Sequence, residues 1–326
     1  LVSLEGINGK IEKTKKNDKG IFNFSEYLKV PFNIKSLFIN GKLNRSINEN
    51  KYDLNFFIGG SYTKKNGNNL SCDIFKVNID NKPNLSFDLK DLFIREDSLN
   101  ISLSNFKGKA FNLPVNGEVV FDKNTSIIKG ELELVEFTIP EDLFNKLPVK
   151  NKFSKFNVNL NIETDLNYFS GIIRLKNELG LNTNGNFLVS KDNDTWFLKT
   201  LKLNGENSEL TINGLLEKRE RVNCYINLSN LDLSRWMNGQ KETDLSGLLI
   251  LDASLENYST LDQIDLTLEV LEEKLFHQGE ISINGQISYK DSIITTIDPV
   301  LLFVEDSYLT IEGEADFRNN EVSLLT

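Results

Sequence analysis

The sequence predicts an all-β fold: a long, curved, mainly antiparallel sheet with an apolar interior face and a few short helices. Three observations carry that prediction. Apolar and polar residues alternate with period two through almost the whole chain, polar breaks of hairpin length separate the runs, and glycines recur inside the runs in phase with the apolar positions.

Residues 1–30 read as the end of a preceding repeat, closing on a brief helix over 24–29 for which Ser25 in "FSEYLK" supplies a cap. A repeat over 31–148 follows. It opens with Leu37, Ile39, Gly41 and Leu43 on one strand face, turns at Asn66-Gly67 in "KKNGNN", and continues with Leu99, Ile101 and Leu103 set against Ser98, Asn100 and Ser102. Val115, Gly117, Val119 and Phe121 give another strand, and after "DKNTS" come Ile128, Gly130, Leu132 and Leu134. "IPEDLFNKLP" then places Pro140 and two acids at the start of a helix over 140–147. The repeat over 149–240 starts with Phe156, Val158, Leu160 and Ile162 against Asn157, Asn159, Asn161 and Glu163. Gly185, Phe187 and Val189 precede the break "SKDND", and a helix over 231–238 ends on Asn238-Gly239. The last repeat, 241–326, is truncated. It carries Ile264, Leu266, Leu268 and Val270, then Ile281, Ile283, Gly285, Ile287 and Tyr289, and finally Leu309, Ile311, Gly313 and Ala315. No linker rich in Pro, Ser or Gly divides the chain, so these are structural repeats rather than independent domains.

The stretch "SELTINGLLEKRERVNCYINL" tests the glycine pattern, because Asn213-Gly214 is also a strong hairpin signal. Leu210, Ile212, Gly214 and Leu216 keep phase through the glycine, and "KRER" is a better break before Val222, Cys224, Ile226 and Leu228. The expected turn is therefore at 218–221, with Gly214 inside a strand where the missing side chain permits a bend or a close approach.

A net charge of −10 from 37 basic and 47 acidic residues gives no global attraction to phosphate backbones, which argues against nucleic acid. The two cysteines, Cys72 and Cys224, are far apart, and Cys224 falls on an apolar strand face. No run approaches the roughly 20 apolar residues of a membrane-spanning helix, and "LVSLEGINGKIEK" lacks the charge and apolar centre of a signal peptide. The sequence reads as a segment of something longer. With His277 the only histidine, a Ser-His-Asp arrangement or multi-His metal site lacks raw material. Asp192 and Asp194 read as a solvated turn, and Glu272-Glu273 as surface charge, so neither enzyme activity nor a cofactor or metal is expected.

What remains is the apolar face. Read as the inside of ordinary β-sandwiches it needs no further role. Two features favour an open trough instead: the pattern runs on without domain linkers, and bend-permitting glycines recur on the apolar side at Gly41, Gly117, Gly130, Gly185, Gly214, Gly285 and Gly313. The lining would be Leu37, Ile39, Val115, Val119, Ile128, Leu132, Phe187, Leu210, Ile212, Leu216, Ile226, Leu266, Leu268, Ile281, Ile283, Ile287, Leu309 and Ile311. At about 25 cal/mol per Å² such a surface is costly in water, and acyl chains would supply the missing contacts.

Blocks such as "FLKTLKLNGENSELTINGLLEKRERVNCYINLSNLDLSRW", "LKVPFNIKSLFINGKLN" and "VEDSYLTIEGEADFRNNEVSLLT" resemble the repeats of AsmA-like proteins, especially the TamB group. The resemblance lies in a segment near "NSxLxIxGxL", a return strand, and a short "DLS" helix. It implies a repeating β-groove, a taco-shaped sheet with an apolar interior, held in the periplasm of a diderm bacterium by an inner-membrane anchor lying outside this segment. It also implies phospholipid movement toward the outer membrane and, for the TamB group, outer-membrane protein assembly. Two classes of role stay open: a lipid conduit in contact with membranes at the ends of the full-length chain, or a scaffold offering sheet edges to client strands or to an outer-membrane assembly protein. A membrane barrel is disfavoured by the lack of aromatic girdles.

Overall fold

The computed structural model describes residues 33–47, 50–64, 67–79, 86–110, 113–138, 153–165, 167–193, 195–217, 220–256, 260–272, 281–304, 307–316, 318 and 321–325. The helices expected over 24–29 and 140–147, and His277, lie outside them. The described chain is all-β, and it divides into two compact units, Leu1–Val135 and Glu136–Thr326.

The first unit holds β1 (Ile34–Ile47), β2 (Asn50–Lys64), β3 (Asn68–Ile79), β4 (Phe87–Glu96), β5 (Asn100–Ala110), β6 (Leu113–Asp122) and β7 (Ile127–Phe137), whose last two residues fall past the boundary. Each strand pairs antiparallel with the next, an open meander in which no described pairing joins β1 to β7. The register aligns one apolar row across all seven strands: Ile39 opposite Ile58, then Phe75, Leu89, Gly108, Val115 and Leu134. No second layer of secondary structure is described in this unit, yet Leu92 is 0% and Tyr62 1% exposed. Bulges bend and twist the strands of such a sheet. The bends have a local cause. Register shifts fall at Ile34/Leu37, Gly59/Gly60 and Leu103/Phe106, and Asp91 and Asn105 sit at φ 57 and 58, inside β4 and β5. The extra residue lets Leu89 and Leu92, or Leu103 and Phe106, share a face although they are three apart.

The second unit continues with β8 (Phe156–Thr164), β9 (Tyr168–Asn177), β10 (Asn182–Asp192), β11 (Thr195–Asn204), β12 (Glu209–Glu217), β13 (Arg221–Leu231), β14 (Leu245–Glu256), β15 (Thr260–Glu272), β16 (Ile281–Lys290), β17 (Ile293–Val304), β18 (Ser307–Asp316) and β19 (Glu321–Leu325). These too form an open antiparallel meander. The chain turns between Glu217 and Arg221, and Gly214 lies within β12. One row runs Ile162, Gly171, Phe187, Leu201, Ile212, Ile226, Leu249, Leu268, Gly285 from β8 to β16.

The helix expected over 231–238 is a single 3-10 turn, Leu233–Arg235. Asp232 caps it, accepting from Ser234 N at 3.0 Å and from Thr243 N at 3.2 Å. Met237 is then drawn into a bridge with Phe153, which requires extended backbone and stops the helix. This β13–β14 connection reaches back to β8 and β9: Ser154 N donates to Trp236 O at 2.9 Å, and Asn177 Nδ2 to Arg235 O at 2.6 Å.

Candidate functional site: the apolar sheet face

The candidate site is an apolar surface built by register. In β12, Leu210, Ile212, Gly214 and Leu216 face Leu228, Ile226, Cys224 and Val222 of β13, while Glu209, Thr211 and Asn213 pair with Ser229, Asn227 and Tyr225 on the opposite face. From β13 the apolar positions pass to β14 and β15 as Cys224, Leu251 and Leu266, ending on Ile287 of β16. A second line runs Val270, Ile283, Leu302, Leu309. Period-two alternation in each strand and antiparallel pairing between strands are enough to produce this, because directly opposed residues share a face.

The apolar rows of the two units differ in burial at particular positions. In the first, Leu37 and Val115 belong to a core of nine buried residues, and Ile39, Val119 and Leu132 pack against it. Ile128 is partly buried opposite Phe121. That face is filled by its own side chains. In the second unit Phe187, Leu210, Ile212, Leu216, Ile226, Leu266, Leu268, Ile283, Ile287 and Ile311 are all only partly buried, Leu309 is 44% exposed, and Ile281 is buried. Among the described residues this unit also buries nine apolar side chains, Phe156, Val158, Leu181, Leu203, Leu231, Ala253, Ile264, Ile281 and Tyr289, with Val222, Leu251 and Ile294 packed on Ala253, Ile264 and Tyr289. The Tyr289 hydroxyl has no hydrogen-bond partner.

Of the in-phase glycines, Gly117, Gly185, Gly214 and Gly285 sit where neighbouring backbone comes close. A Cβ on Gly214 would lie 2.5 Å from Asn223 O and 2.7 Å from Cys224 Sγ. Gly117 pairs with Phe106 and Leu132, Gly185 with Ile173 and Leu203, Gly285 with Leu268, and Gly313 with Leu324. Gly41 faces Phe56 and Gly130 faces Val119. Sequence reasoning missed Gly60, Gly108, Gly171 and Gly247, which meet a neighbouring carbonyl in the same way. It also missed Leu201, Leu249 and Leu302 on the apolar rows. Leu201 follows a register shift after Leu198, so period two fails there. In "GLLILDA" and "PVLLFV" apolar residues occupy both faces, and only the partner strand tells them apart.

The opposite face is mixed: it exposes Ile172 and Tyr225 and carries ion pairs, Lys202–Glu209 at 2.7 Å, Lys76–Asp88 at 3.0 Å, and Arg221 donating through Nε and Nη2 to Asp252. Exposed pairs of this kind contribute little. Both cysteines are free. Burial, with Asp73 adding, pushes the Cys72 thiol up to about 11, and burial also raises that of Cys224. Among the described residues no group of three His, Cys, Asp or Glu is placed to hold a metal ion, and no helix is long and apolar enough to cross a membrane.

Comparison with protein-family models, with curated proteins and with solved structures finds no match in any of the three. The functional reading therefore rests on the face itself. It offers dispersion contacts over a wide, register-matched surface, which suits holding apolar chains.

Proposed function

We propose that the second unit shields acyl chains: its apolar face holds the tails of a phospholipid or another acyl lipid during transfer between membranes, while head groups stay in water. The observation that carries this reading is the row from Phe187 to Leu268, matched strand to strand yet only partly buried, with no second described layer over it. Leaving such a face against water costs about 25 cal/mol per Å², and a lipid tail removes that cost without needing any directional contact. The resemblance to AsmA-like and TamB repeats gives the setting: a bridge across the periplasm from inner to outer membrane, passive and without a chemical step. A plain structural role is the second reading: each unit buries nine apolar residues on its own, and in the first they form one cluster that includes Ile58, Leu89 and Val115 of its apolar row.

The test is lipid capture. Native mass spectrometry of the purified chain should show bound phospholipid. A polarity-sensitive dye on Cys224, which lies mid-row in β13 opposite Gly214 and Leu251, should shift to the blue when vesicles are added. A bare protein mass together with an unchanged dye spectrum would remove the proposal.

A further inference from the structure

The face of β8 to β10 opposite the apolar rows carries a polar array set by register. Arg174 of β9 stands between Asn159 and Asn184, Lys176 between Asn157 and Asn182, and Ile172 between Asn161 and Asn186. No register shift falls within these stretches, so the positions share one face, about 5 Å apart across the strands and about 7 Å apart along them. The β9 row runs on through Ser170 to Tyr168, which is 46% exposed. Arg174, Lys176 and the three β10 asparagines are exposed as well. Among the described residues neither cation has a carboxylate partner. Of the six amides only Asn157 is engaged, its Oδ1 accepting from Glu136 N at 3.2 Å. The acids nearby stand at the border or are already paired: Glu163 opposite Ser170, Glu178 just past β9, Glu136 with Lys155 at 2.9 Å and Glu209 with Lys202 at 2.7 Å.

Two unpaired cations set among amides select an anion that is also rich in groups able both to donate and to accept. Each carboxamide offers an acceptor oxygen and two N–H donors, and a sugar hydroxyl answers either. An acidic peptide answers less well, because its carboxylates only accept and its backbone groups pair with a strand edge rather than a sheet face. A densely charged polyphosphate calls for more than two cations and meets a chain of net charge −10. The Tyr168 ring at the end of the row has an apolar body and a polar tip, a surface against which the apolar side of a sugar ring fits. We propose that this face binds a sparsely acidic polysaccharide, with a sugar carboxylate on Arg174 and Lys176 and the hydroxyl or acetamido groups of neighbouring sugars on the flanking asparagines. The site lies on the other side of the sheet from the apolar rows and does not depend on the lipid reading.

The experiment titrates hyaluronan oligosaccharide, which carries a carboxylate on alternate sugars and an acetamido group on the others, into the full chain by isothermal titration calorimetry. Dextran and polyglutamate serve as comparisons. Hyaluronan should bind, less tightly as salt rises, and both comparisons should bind at least about tenfold more weakly. Arg174→Gln with Lys176→Gln should lower hyaluronan affinity at least about tenfold. Asn159→Ala with Asn184→Ala, the pair beside Arg174, should lower it about fivefold. All four positions lie on the outward face, so circular dichroism should show the sheet retained. Lys107→Gln with Lys241→Gln removes the same charge from exposed positions elsewhere and should leave affinity within about twofold. Three results would overturn the proposal. No heat with hyaluronan leaves the array a solvated surface. Polyglutamate bound as tightly as hyaluronan, or an asparagine pair without effect, makes it a site for acidic peptide. Equal losses in the two pairs that remove charge reduce it to general attraction between charges.

Discussion

A side chain at Gly214 would have to displace the Asn223 carbonyl, 2.5 Å from the ideal Cβ, and the Cys224 sulfur at 2.7 Å. The carbonyl is backbone in an adjacent strand and cannot rotate away, so Gly214→Ala should destabilise the second unit by about 1–3 kcal/mol, as overpacking does. A lowered urea midpoint with unchanged slope checks it, and an unchanged midpoint would mean that the strands sit farther apart than described. A second residue-scale test lies at Glu96. Its carboxylate, 5% exposed, accepts from Lys123 Nζ at 2.8 Å and from Asn68 Nδ2 at 3.1 Å, and Asn68 in turn accepts from Tyr62. Lys123 also donates to Asp97 O at 2.7 Å, which joins the β4–β5 and β6–β7 turns. Lys123→Met removes the counter-charge of that carboxylate, leaving Asn68 as its donor, and should cost about 3 kcal/mol in urea titration, whereas Lys107→Met, on an exposed side chain, serves as the comparison. Gly214 was legible in the sequence because its neighbours keep phase on both sides. Gly60 was not, because the Gly59/Gly60 shift breaks the phase that would have marked it.

Connections were harder to read than strands, and the β13–β14 connection shows why. "LDLSRWMNG" has the cap and the stop of a short helix, but the chain outside it decides the outcome: Phe153 takes Met237 into a bridge and Ser154 takes the Trp236 carbonyl. No local pattern reveals partners some eighty residues away. The same contacts make a pH prediction. Burial alone would raise the Asp232 carboxyl, but the Ser234 hydroxyl, the Thr243 and Ser234 N–H groups and nearby Arg235 outweigh it and hold the pKa below its ordinary value. A lowered folded pKa means that this stabilisation is complete above the unfolded carboxylate range near 4 and is lost as pH falls through the folded value. Trp236 packing on Phe156 should therefore loosen below about pH 4, seen as a red shift in emission with Trp196→Phe removing the other indole. Asp232→Asn should begin looser at neutral pH and lose its response in that window. Identical titrations of the two proteins would show that Asp232 does not hold the connection.

At the scale of the whole molecule, the all-β antiparallel fold was written in the period-two pattern, while the difference between the units was not, since both carry the same alternation. What separates them is burial along the row: Ile58, Leu89 and Val115 are buried in the first unit, whereas the row from Phe187 to Leu268 in the second is only partly buried, though register shifts occur in both. Charge placement turns this difference into a prediction. Ile283 faces Val270 and Leu302 on the apolar side, and its neighbour Asn284 is exposed opposite Glu269 and Leu301. Leu268 meets Leu249 and Gly285, while Thr267 meets Ile250 and Gln286 on the polar side. An unpaired ion among acyl chains costs several kcal/mol, so Ile283→Asp and Leu268→Arg should lower lipid transfer between vesicles at least about tenfold. Both faces of each strand offer the mutated chain the same backbone, so Asn284→Asp and Thr267→Arg control for folding, and should keep transfer within about twofold. In the first unit the outcome differs in kind: Leu92→Asp places its charge in a closed core, so it should lower the urea midpoint rather than block a path. If inward and outward charges in the second unit reduce transfer equally while circular dichroism shows intact sheet, the rows from β10 to β18 are a protein core and carry no lipid.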